Sequence, residues 1–480
     1  MNTVILIAGR TWKTIFSNRA TMALTLFLGL ALCLATYTGW EHYQSQQRQR
    51  LKYKAIVRAQ WLAKPDKHPH RMAHYGYLVF RDQHELSFFD FGIESFAGVS
   101  IFLEAHKQNT ANFSEAGFSG GMLRFGEMSV AMVLQLLVPL LIFFLGYNAI
   151  SAERESGTLK ILLCQGISWE QLLAGKTLGI IGVVFTLFLP VMLLTMLGWA
   201  VLSNGHLSAD AIQRFGLLLA GYTMYFSICA GVAVWVSACC STSKVALTIL
   251  LAGWVCGMMI LPRLTQAIGV QLHPAPARIE FAANVEKELH RQGDSHNPDD
   301  PHYAKLKDSL LQQYKVTDVK QLPFNYGGYV MAEGERISAA IYNRHQQKLT
   351  DSYQKQNSFT IAAGYLNPYL AIRYLSMALT AADFDTYADF QDQAEAYRYQ
   401  LAQQMNKLQM KYISNATPGD TDKPATISHT HWASMPDFQY HFKPVAAVVR
   451  TQAATIGALL CWLALIIGCF LGASKWAKSL

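Results

Sequence analysis

Six long stretches of this 480-residue chain contain no Asp, Glu, Lys or Arg and are mostly apolar. A helix needs about 20 apolar residues to cross a bilayer, and one central charge costs roughly 2.5–3.5 kcal/mol. The sequence therefore predicts an α-helical integral membrane protein with six transmembrane helices. The shortest stretch, Val245–Leu261, would alternatively suit a buried helix of a soluble domain. The stretches are Thr21–Trp40, Met128–Ile150, Thr177–Leu202, Phe215–Ser243, Val245–Leu261 and Thr451–Ser474.

These stretches divide the chain. The first is longer than the apolar part of a typical signal peptide and lacks a clear cleavage site, so we interpret it as a span. Residues 1–20 interleave apolar and basic side chains, which favours an interfacial helix over a plain cytosolic tail. We place transmembrane helices at 21–40, 128–150, 177–202, 212–238, 245–261 and 451–473, a cytoplasmic coupling segment at 151–176, and extracytoplasmic domains at 41–127 and 262–450.

Basic residues predict the orientation. With the N-terminus inside, the inner segments hold nine Lys and Arg residues, whereas the short outer loop Ser203–Asp210 holds none. The basic stretch Arg48–Arg58 argues the other way, but long translocated domains largely escape the rule. We therefore expect both termini in the cytoplasm. All eight cysteines then fall in spans or inner loops, so no disulfide framework is expected. The net charge of +8 is thinly spread and predicts no nucleic-acid partner.

The two outer segments differ in pattern. The segment 41–127 has a mixed α/β pattern, with a helix continuing to about Trp61 and strand candidates at Tyr75–Phe80 and Leu86–Phe91. The segment 262–450 has a mainly α-helical pattern, because one apolar face recurs at spacings of three and four residues. That face consists of Phe384, Tyr387, Phe390, Ala394, Tyr397, Leu401, Met405, Leu408 and Tyr412.

The charged, glycine-punctuated segment Asn148–Lys176 lies between the second and third apolar stretches. Gly157 and Gly166 offer turns, and Ser168 is a plausible N-cap for a short helix at Trp169–Ala174, with Gln171 completing a capping box. A short leucine patch between the glycines is too small for a core of its own and would be buried against a partner. From the residues alone, an ordinary loop between helices is an equally good interpretation.

The run GYNAISAERESGTLKILLCQGISWEQLLAGK resembles the coupling-helix region of type-2 ABC transporter permeases, whose pattern is approximately E-R-E-x-G-T-L followed by leucines, serine and GK. Gly166 and Trp169 depart from it, since proline and a basic residue are common there. Ser87–Asn109, Arg124–Ser129 and Asn367–Phe384 resemble a bacterial subgroup with two large extracytoplasmic insertions. The matching residues, which the resemblance implies to be ATPase-coupling residues, are Glu153, Arg154, Glu155, Gly157, Thr158, Leu159, Leu162, Leu163, Ser168, Gly175 and Lys176.

The resemblance implies a permease subunit in a bacterial inner membrane that exports a substrate or does conformational work on an extracytoplasmic protein partner. It also implies a second permease subunit, identical or homologous, and a cytoplasmic ABC ATPase dimer that holds ATP and magnesium. Gly175-Lys176-Thr177 is similar to the end of a phosphate-binding loop, but Glu170 stands where that motif needs glycine. We therefore expect a non-catalytic chain with no cofactor of its own.

The histidines raise an alternative. All fifteen fall in the predicted outer segments, and closely spaced imidazoles can bind zinc or copper. Solvated loop histidines are the better interpretation, so we predict no metal site. The rival function is a membrane-anchored extracytoplasmic binding or sensor protein, without transport, that could bind metal. The weak metal candidates are His68, His70, His74, His429 and His431.

Overall fold

The protein is an α-helical membrane protein with little strand, as the sequence predicts. The computed structural model describes residues 3–112, 128–202, 207–293, 295, 297, 300–415 and 425–477. Among these residues, six helices are long and apolar enough to cross a membrane. We call them spans 1 to 6, in chain order: Arg19–Leu62, Val130–Glu155, Trp169–Ala200, Ala209–Cys239, Ser243–Leu272 and Ala453–Ala473.

Shorter elements complete the described chain. Span 2 contains the π-helical turn Val133–Leu137, and span 5 contains the π-helical turn Cys256–Ile260. Short 3-10 helices lie at Val319–Gln321 and Ala363–Tyr365, and two strands form at Tyr77–Phe80 and Ser100–Leu103. The other helices are Thr3–Ser17, Pro69–Ala73, Thr158–Cys164, Arg278–Gln292, Pro301–Tyr314, Tyr326–Ala362, Pro368–Leu379, Phe384–Tyr412, Thr430–Ala433 and Val445–Thr451.

Span 1 is far longer than a bilayer requires. Its 44 residues extend about 66 Å, roughly twice the thickness of the hydrocarbon core. The sequence turns polar from Glu41 onward, so this outer half continues beyond the membrane as a helix, as the sequence predicts. At its end the indole Nε1 of buried Trp61 donates to the carbonyl of Trp432, 3.0 Å away. Span 1 thus connects the membrane bundle to the parts of the chain that lie outside the bundle, which we call the exterior.

Span 4 lies at the centre of the bundle and packs against spans 2, 3 and 6. Small residues allow the close approach. A Cβ on Gly146 of span 2 would meet the Cβ of Ala233 at 2.5 Å, and one on Gly231 would meet Ile466 at 2.4 Å. Small residues at helix contacts let backbones pack closely where lipid supplies no hydrophobic driving force. Spans 1, 5 and 6 leave most of their apolar surface exposed, as expected of helices facing lipid.

Two helices extend past the boundaries that the sequence suggests. Span 5 does not end at Leu261 but runs to Leu272, because Pro262 follows a π-helical turn and sits at the start of the next α-helical piece, where its missing N–H costs little. The short helix expected at Trp169–Ala174 is not separate either. It forms the first turns of the continuous helix Trp169–Leu202.

The second strand of the two-stranded sheet is not the one that the sequence suggests. Strand Tyr77–Phe80 pairs antiparallel with Ser100–Leu103, with Tyr77 opposite Leu103. The prediction of a strand at Leu86–Phe91 is wrong, since these residues form turns. Their apolar side chains, including the buried Phe88 and Phe89, pack into the core of the membrane bundle instead of covering a sheet. Burial against helices therefore decides the conformation of this stretch.

Both insertions contribute to one hydrophobic core among the described residues outside the bundle. Trp61, Val79 and Leu103 from the first insertion pack with Phe390 and Met405 from the other. The sequence boundaries 41–127 and 262–450 therefore do not correspond to separate cores. The predicted apolar face of helix Phe384–Tyr412 is confirmed, and its buried members Phe390, Ala394, Leu401 and Met405 belong to this core.

Candidate functional site

Two short helices, Ser151–Glu155 at the end of span 2 and Thr158–Cys164, are joined by a turn at Gly157, and a second turn at Gly166 precedes span 3. Gly157 and Gly166 have φ values of +76° and +85°, which glycine adopts without steric cost. The predicted capping box is confirmed, because the Gln171 N–H donates to Ser168 Oγ at 3.3 Å and the Ser168 N–H donates to Gln171 Oε1 at 3.2 Å. Ser168 therefore caps the helix that becomes span 3.

Glu153 ties the segment to itself and to span 3. The hydroxyl of Thr158 donates to its carboxylate across the Gly157 turn. The ammonium of Lys176 donates to the other carboxylate oxygen at 3.0 Å. Both side chains of this ion pair are partly buried, which reduces solvent screening. The start of helix Thr158–Cys164 is thereby fixed relative to span 3.

Arg154 and Glu155 reach the adjacent ends of spans 4 and 5. The guanidinium of Arg154 donates to the carbonyl of Cys240 and to the carbonyl of Ala238, the latter at 2.7 Å. Both carbonyls lie where the span 4 helix ends. The carboxylate of Glu155 accepts from the Ser243 N–H at 3.0 Å and the Ser243 hydroxyl at 2.8 Å, at the first turn of span 5. A cation at a helix C-terminus and an anion at a helix N-terminus each complement the helix dipole.

Three serines reinforce this contact beneath the charged residues. The Oγ of Ser237 in span 4 accepts from the Ile150 and Ser151 N–H groups at 3.0 and 3.1 Å. Ser151 Oγ lies 2.9 Å from Ser243 Oγ. Ser151 and Ser237 are fully buried. The end of span 2 is therefore bonded through backbone, hydroxyl and charged groups to spans 3, 4 and 5, an arrangement that we call the charged brace.

The leucines of the segment point into the protein. Leu159 is buried in the bundle core, and Leu162 and Leu163 pack partly against it. The opposite face of helix Thr158–Cys164 is open, with Lys160, Ile161 and Cys164 exposed, and 58% of Ile161 is accessible. A partner that binds this helix would therefore contact these three residues, while the leucines hold the helix in place. This helix has only seven residues, too few for the sequence pattern to distinguish its buried face from its exposed face.

Gly175 is a packing residue between helices. A Cβ at this position would lie 2.7 Å from both Cβ and Cγ2 of Ile7, in the N-terminal helix Thr3–Ser17. Gly179 has the same role four residues on, against Thr11. Gly175 faces Ile7 and Gly179 faces Thr11, so residue numbers increase in the same direction along both helices. The N-terminal helix therefore runs parallel to the start of span 3. The Gly175-Lys176-Thr177 triplet lies inside the helix Trp169–Leu202 of span 3 and forms no loop.

Another polar arrangement links the bundle to the exterior, and sequence reasoning did not single it out. Gln135 Nε2, in the π-helical turn of span 2, donates to Tyr222 Oη at 2.9 Å. Tyr222 Oη lies 3.1 Å from Ser376 Oγ, which donates to Asp90 Oδ2 at 2.6 Å. All four side chains are buried, and burial raises the pKa of Asp90. The hydrogen bonds connect spans 2 and 4 to helix Pro368–Leu379 of the exterior.

The five histidines weighed as metal ligands have different roles. His68 caps helix Pro69–Ala73, with Nδ1 accepting from the His70 N–H at 3.3 Å. His429 pairs with Asp66 at 2.9 Å, and the ring of His431 lies 4.7 Å from that of Tyr412. These three do not converge. His70 and His74 do converge, and their third neighbour is His106, which the sequence pattern did not indicate.

Comparison with known proteins covers part of the chain. Residues 278–441 match the family model described as a domain of unknown function, DUF3526. The match spans most of the insertion 262–450 and none of the membrane spans. No curated protein matches the chain.

Proposed function

We propose that this chain is the membrane-spanning permease subunit of an ATP-driven transporter in a bacterial inner membrane, and that a separate cytoplasmic ATPase binds helix Thr158–Cys164. The observation that carries the proposal is the charged brace. Glu153, Arg154 and Glu155, at the end of span 2, bind spans 3, 4 and 5, and the Thr158 hydroxyl of the short exposed helix donates to Glu153. A displacement of the helix by a partner would therefore move several spans together.

The remaining parts of the proposal follow the basic-residue pattern and the family resemblance. Both termini and helix Thr158–Cys164 lie in the cytoplasm, and the shared core of the insertions lies outside. The ATPase supplies ATP hydrolysis with magnesium, and a second permease, identical or homologous, completes the transporter. The polar chain from Gln135 to Asp90 joins the bundle to the exterior, where an extracytoplasmic protein partner would bind.

The open face of helix Thr158–Cys164 gives the test. A photo-crosslinking amino acid at Ile161, in the full chain in its native membrane, should capture a protein that mass spectrometry identifies as a nucleotide-binding ATPase. Ile161→Asp should abolish its co-purification, because a carboxylate cannot be buried in an apolar contact. Ile279→Asp is the matched control, since Ile279 is 81% exposed on the exterior.

The outcomes distinguish a wrong docking face from a wrong function. Retained ATPase binding by Ile161→Asp, or equal loss in Ile279→Asp, would contradict the proposed docking face. Capture of no ATPase at all would contradict the transporter proposal itself. Leu162→Asp is a poor test, because Leu162 packs against the protein's own core and its substitution would disturb the fold.

The rival proposal is a membrane-anchored extracytoplasmic binding or sensor protein. The observation that favours it is the convergence of three histidines on the exterior. Metal binding together with no ATPase in the crosslinking experiment would support this rival. Metal binding together with ATPase capture would instead give a transporter subunit with a metal site.

A further inference from the structure

Three histidines from distant parts of the sequence meet on the exterior. His70 and His74 are one helical turn apart at helix Pro69–Ala73, and His106 lies in the turn that follows strand Ser100–Leu103. One potential ligand nitrogen from each ring lies within 4.8 Å of the others. Nε2 of His70 and Nε2 of His74 are 3.2 Å apart.

This spacing suits a single metal ion. Two nitrogens bound tetrahedrally to zinc at about 2.0–2.1 Å lie about 3.3 Å from each other. The His70–His74 pair already has that separation. Bringing all three nitrogens to it needs a shift of at most about 1.5 Å, which rotation of a partly exposed ring can supply. Because His74 is exposed, the side of the cluster facing solvent is open to a water or another ligand.

Glu335 fixes the orientation of His106. One oxygen of this fully buried carboxylate accepts from the His106 N–H at 2.8 Å and lies 3.2 Å from the ring Nδ1. Histidines that bind metals usually donate their other ring N–H to a carboxylate or carbonyl, which fixes the tautomer and the ring orientation. Nδ1 of His106 faces Glu335, so Nε2 is the nitrogen that would bind the ion.

Arg398 fixes the position of Glu335. A guanidinium nitrogen of Arg398 lies 2.6 Å from the other carboxylate oxygen of Glu335, and both side chains of this ion pair are buried. Arg398 also donates to the carbonyl of Glu104 at 3.1 Å. A charged, fixed carboxylate is the partner that a metal-binding imidazole needs.

The turn that carries His106 is strained and braced. His106 has φ +62°, in the left-handed region, which a residue with a side chain adopts only at an energetic cost. The Ala105 N–H donates to the carbonyl of Ala73 at 3.3 Å, so the turn is bonded directly to the helix that carries His70. Strain of this kind persists where the surroundings impose it, and it is common at functional sites.

We propose that His70, His74 and His106 bind one divalent transition-metal ion of the class that prefers imidazole, zinc or copper(II), with a further coordination position open to solvent. Glu335 is a positioning residue for His106. The proposal is independent of the ATPase partner. A hydrogen bond between two neutral imidazoles would explain the His70–His74 contact alone, but it would not account for the convergence of His106, held by Glu335, on both of them.

The test uses the full chain purified in detergent and stripped with a chelator. Zinc is titrated in competition with a chromogenic chelator, and copper(II) is followed by electron paramagnetic resonance. His106→Asn is the informative variant, since Asn tolerates the left-handed backbone and keeps the N–H bond to Glu335. His74→Gln tests the exposed ligand. The double variant His429→Gln, His431→Gln is the matched control, removing two other exterior histidines.

The wild type should bind one equivalent per chain, with nitrogen couplings from three imidazoles. His106→Asn and His74→Gln should each weaken binding at least about 100-fold and remove one nitrogen, while the control binds as the wild type does. Thermal midpoints of the metal-free variants establish that they fold. Unchanged affinity and couplings in both variants, or an equal loss in the control, would overturn the proposal.

Discussion

Glu94 is a buried carboxylate between two buried arginines, and its removal is the most decisive test of the packing. Its Oε1 accepts from Arg50 Nη2 at 3.1 Å, and its Oε2 lies 2.8 Å from Arg81 Nη1. The side chains of Arg50, Arg81 and Glu94 are 5%, 1% and 8% exposed. Arg50 belongs to the outer half of span 1, and Arg81 follows strand Tyr77–Phe80. The triad therefore fastens span 1 to the exterior sheet.

Glu94→Gln keeps the shape of the side chain but leaves both arginines without a counterion. Nε and Nη1 of Arg50 and Nε and Nη2 of Arg81 have no hydrogen-bond partner among the described residues, so no observed group replaces the carboxylate. Removing one member of a buried ion pair costs about 3–5 kcal/mol. In a chain of 480 residues, we expect the thermal midpoint in detergent to fall by roughly 3–5 °C.

The dependence of the thermal midpoint on pH in the acid range gives an independent readout. Burial would raise the pKa of Glu94, but the charges of Arg81 and Arg50 outweigh it, and the net pKa lies below the usual value of 4.5. The triad's contribution is therefore complete above the unfolded pKa and is lost as pH falls through the lower folded pKa. The difference in midpoint between wild type and Glu94→Gln should shrink over that acid range.

Glu333→Gln is the matched control. Glu333 pairs with Arg336 at 2.6 Å, but the Arg336 side chain is 60% exposed, and exposed pairs contribute at most about 1 kcal/mol. A Glu94→Gln midpoint equal to that of Glu333→Gln would refute the argument. So would a difference that stays constant as the pH falls well below 4.5.

Three further predictions concern the segment around spans 2 and 3 and the orientation of the chain. Gly175→Ala should lower the thermal midpoint, because overpacking against the N-terminal helix costs about 1–3 kcal/mol, whereas Gly198→Ala, with nothing within 4 Å, should not. Arg154→Met should cost about 1.5–3 kcal/mol for each charged hydrogen bond lost, and a midpoint within error of wild type would contradict the brace. A membrane-impermeant thiol reagent should label a cysteine at Ile279 in intact cells, but exposed Cys164 only after permeabilisation; the reverse pattern would invert the orientation.

Features set by local sequence were predictable. The six spans follow from the absence of charge over about 20 residues, a condition that needs no knowledge of neighbours. The turns at Gly157 and Gly166, the capping box at Ser168 and the apolar face of helix Phe384–Tyr412 depend on residues a few positions apart. Backbone sterics and helical periodicity act over that range, so the pattern carries the information.

The partners of the polar groups were decided by the tertiary structure. Arg154 and Cys240 are 86 residues apart, and His106 and Glu335 are 229 apart. The sequence identified Glu153, Arg154 and Glu155 through resemblance, but only the packing of spans 3, 4 and 5 gives each its partner. The histidines show the same limit, since counting them could not separate the converging three from the others. Electrostatic and ligand geometry depend on distances in space, which local pattern does not encode until the chain has folded.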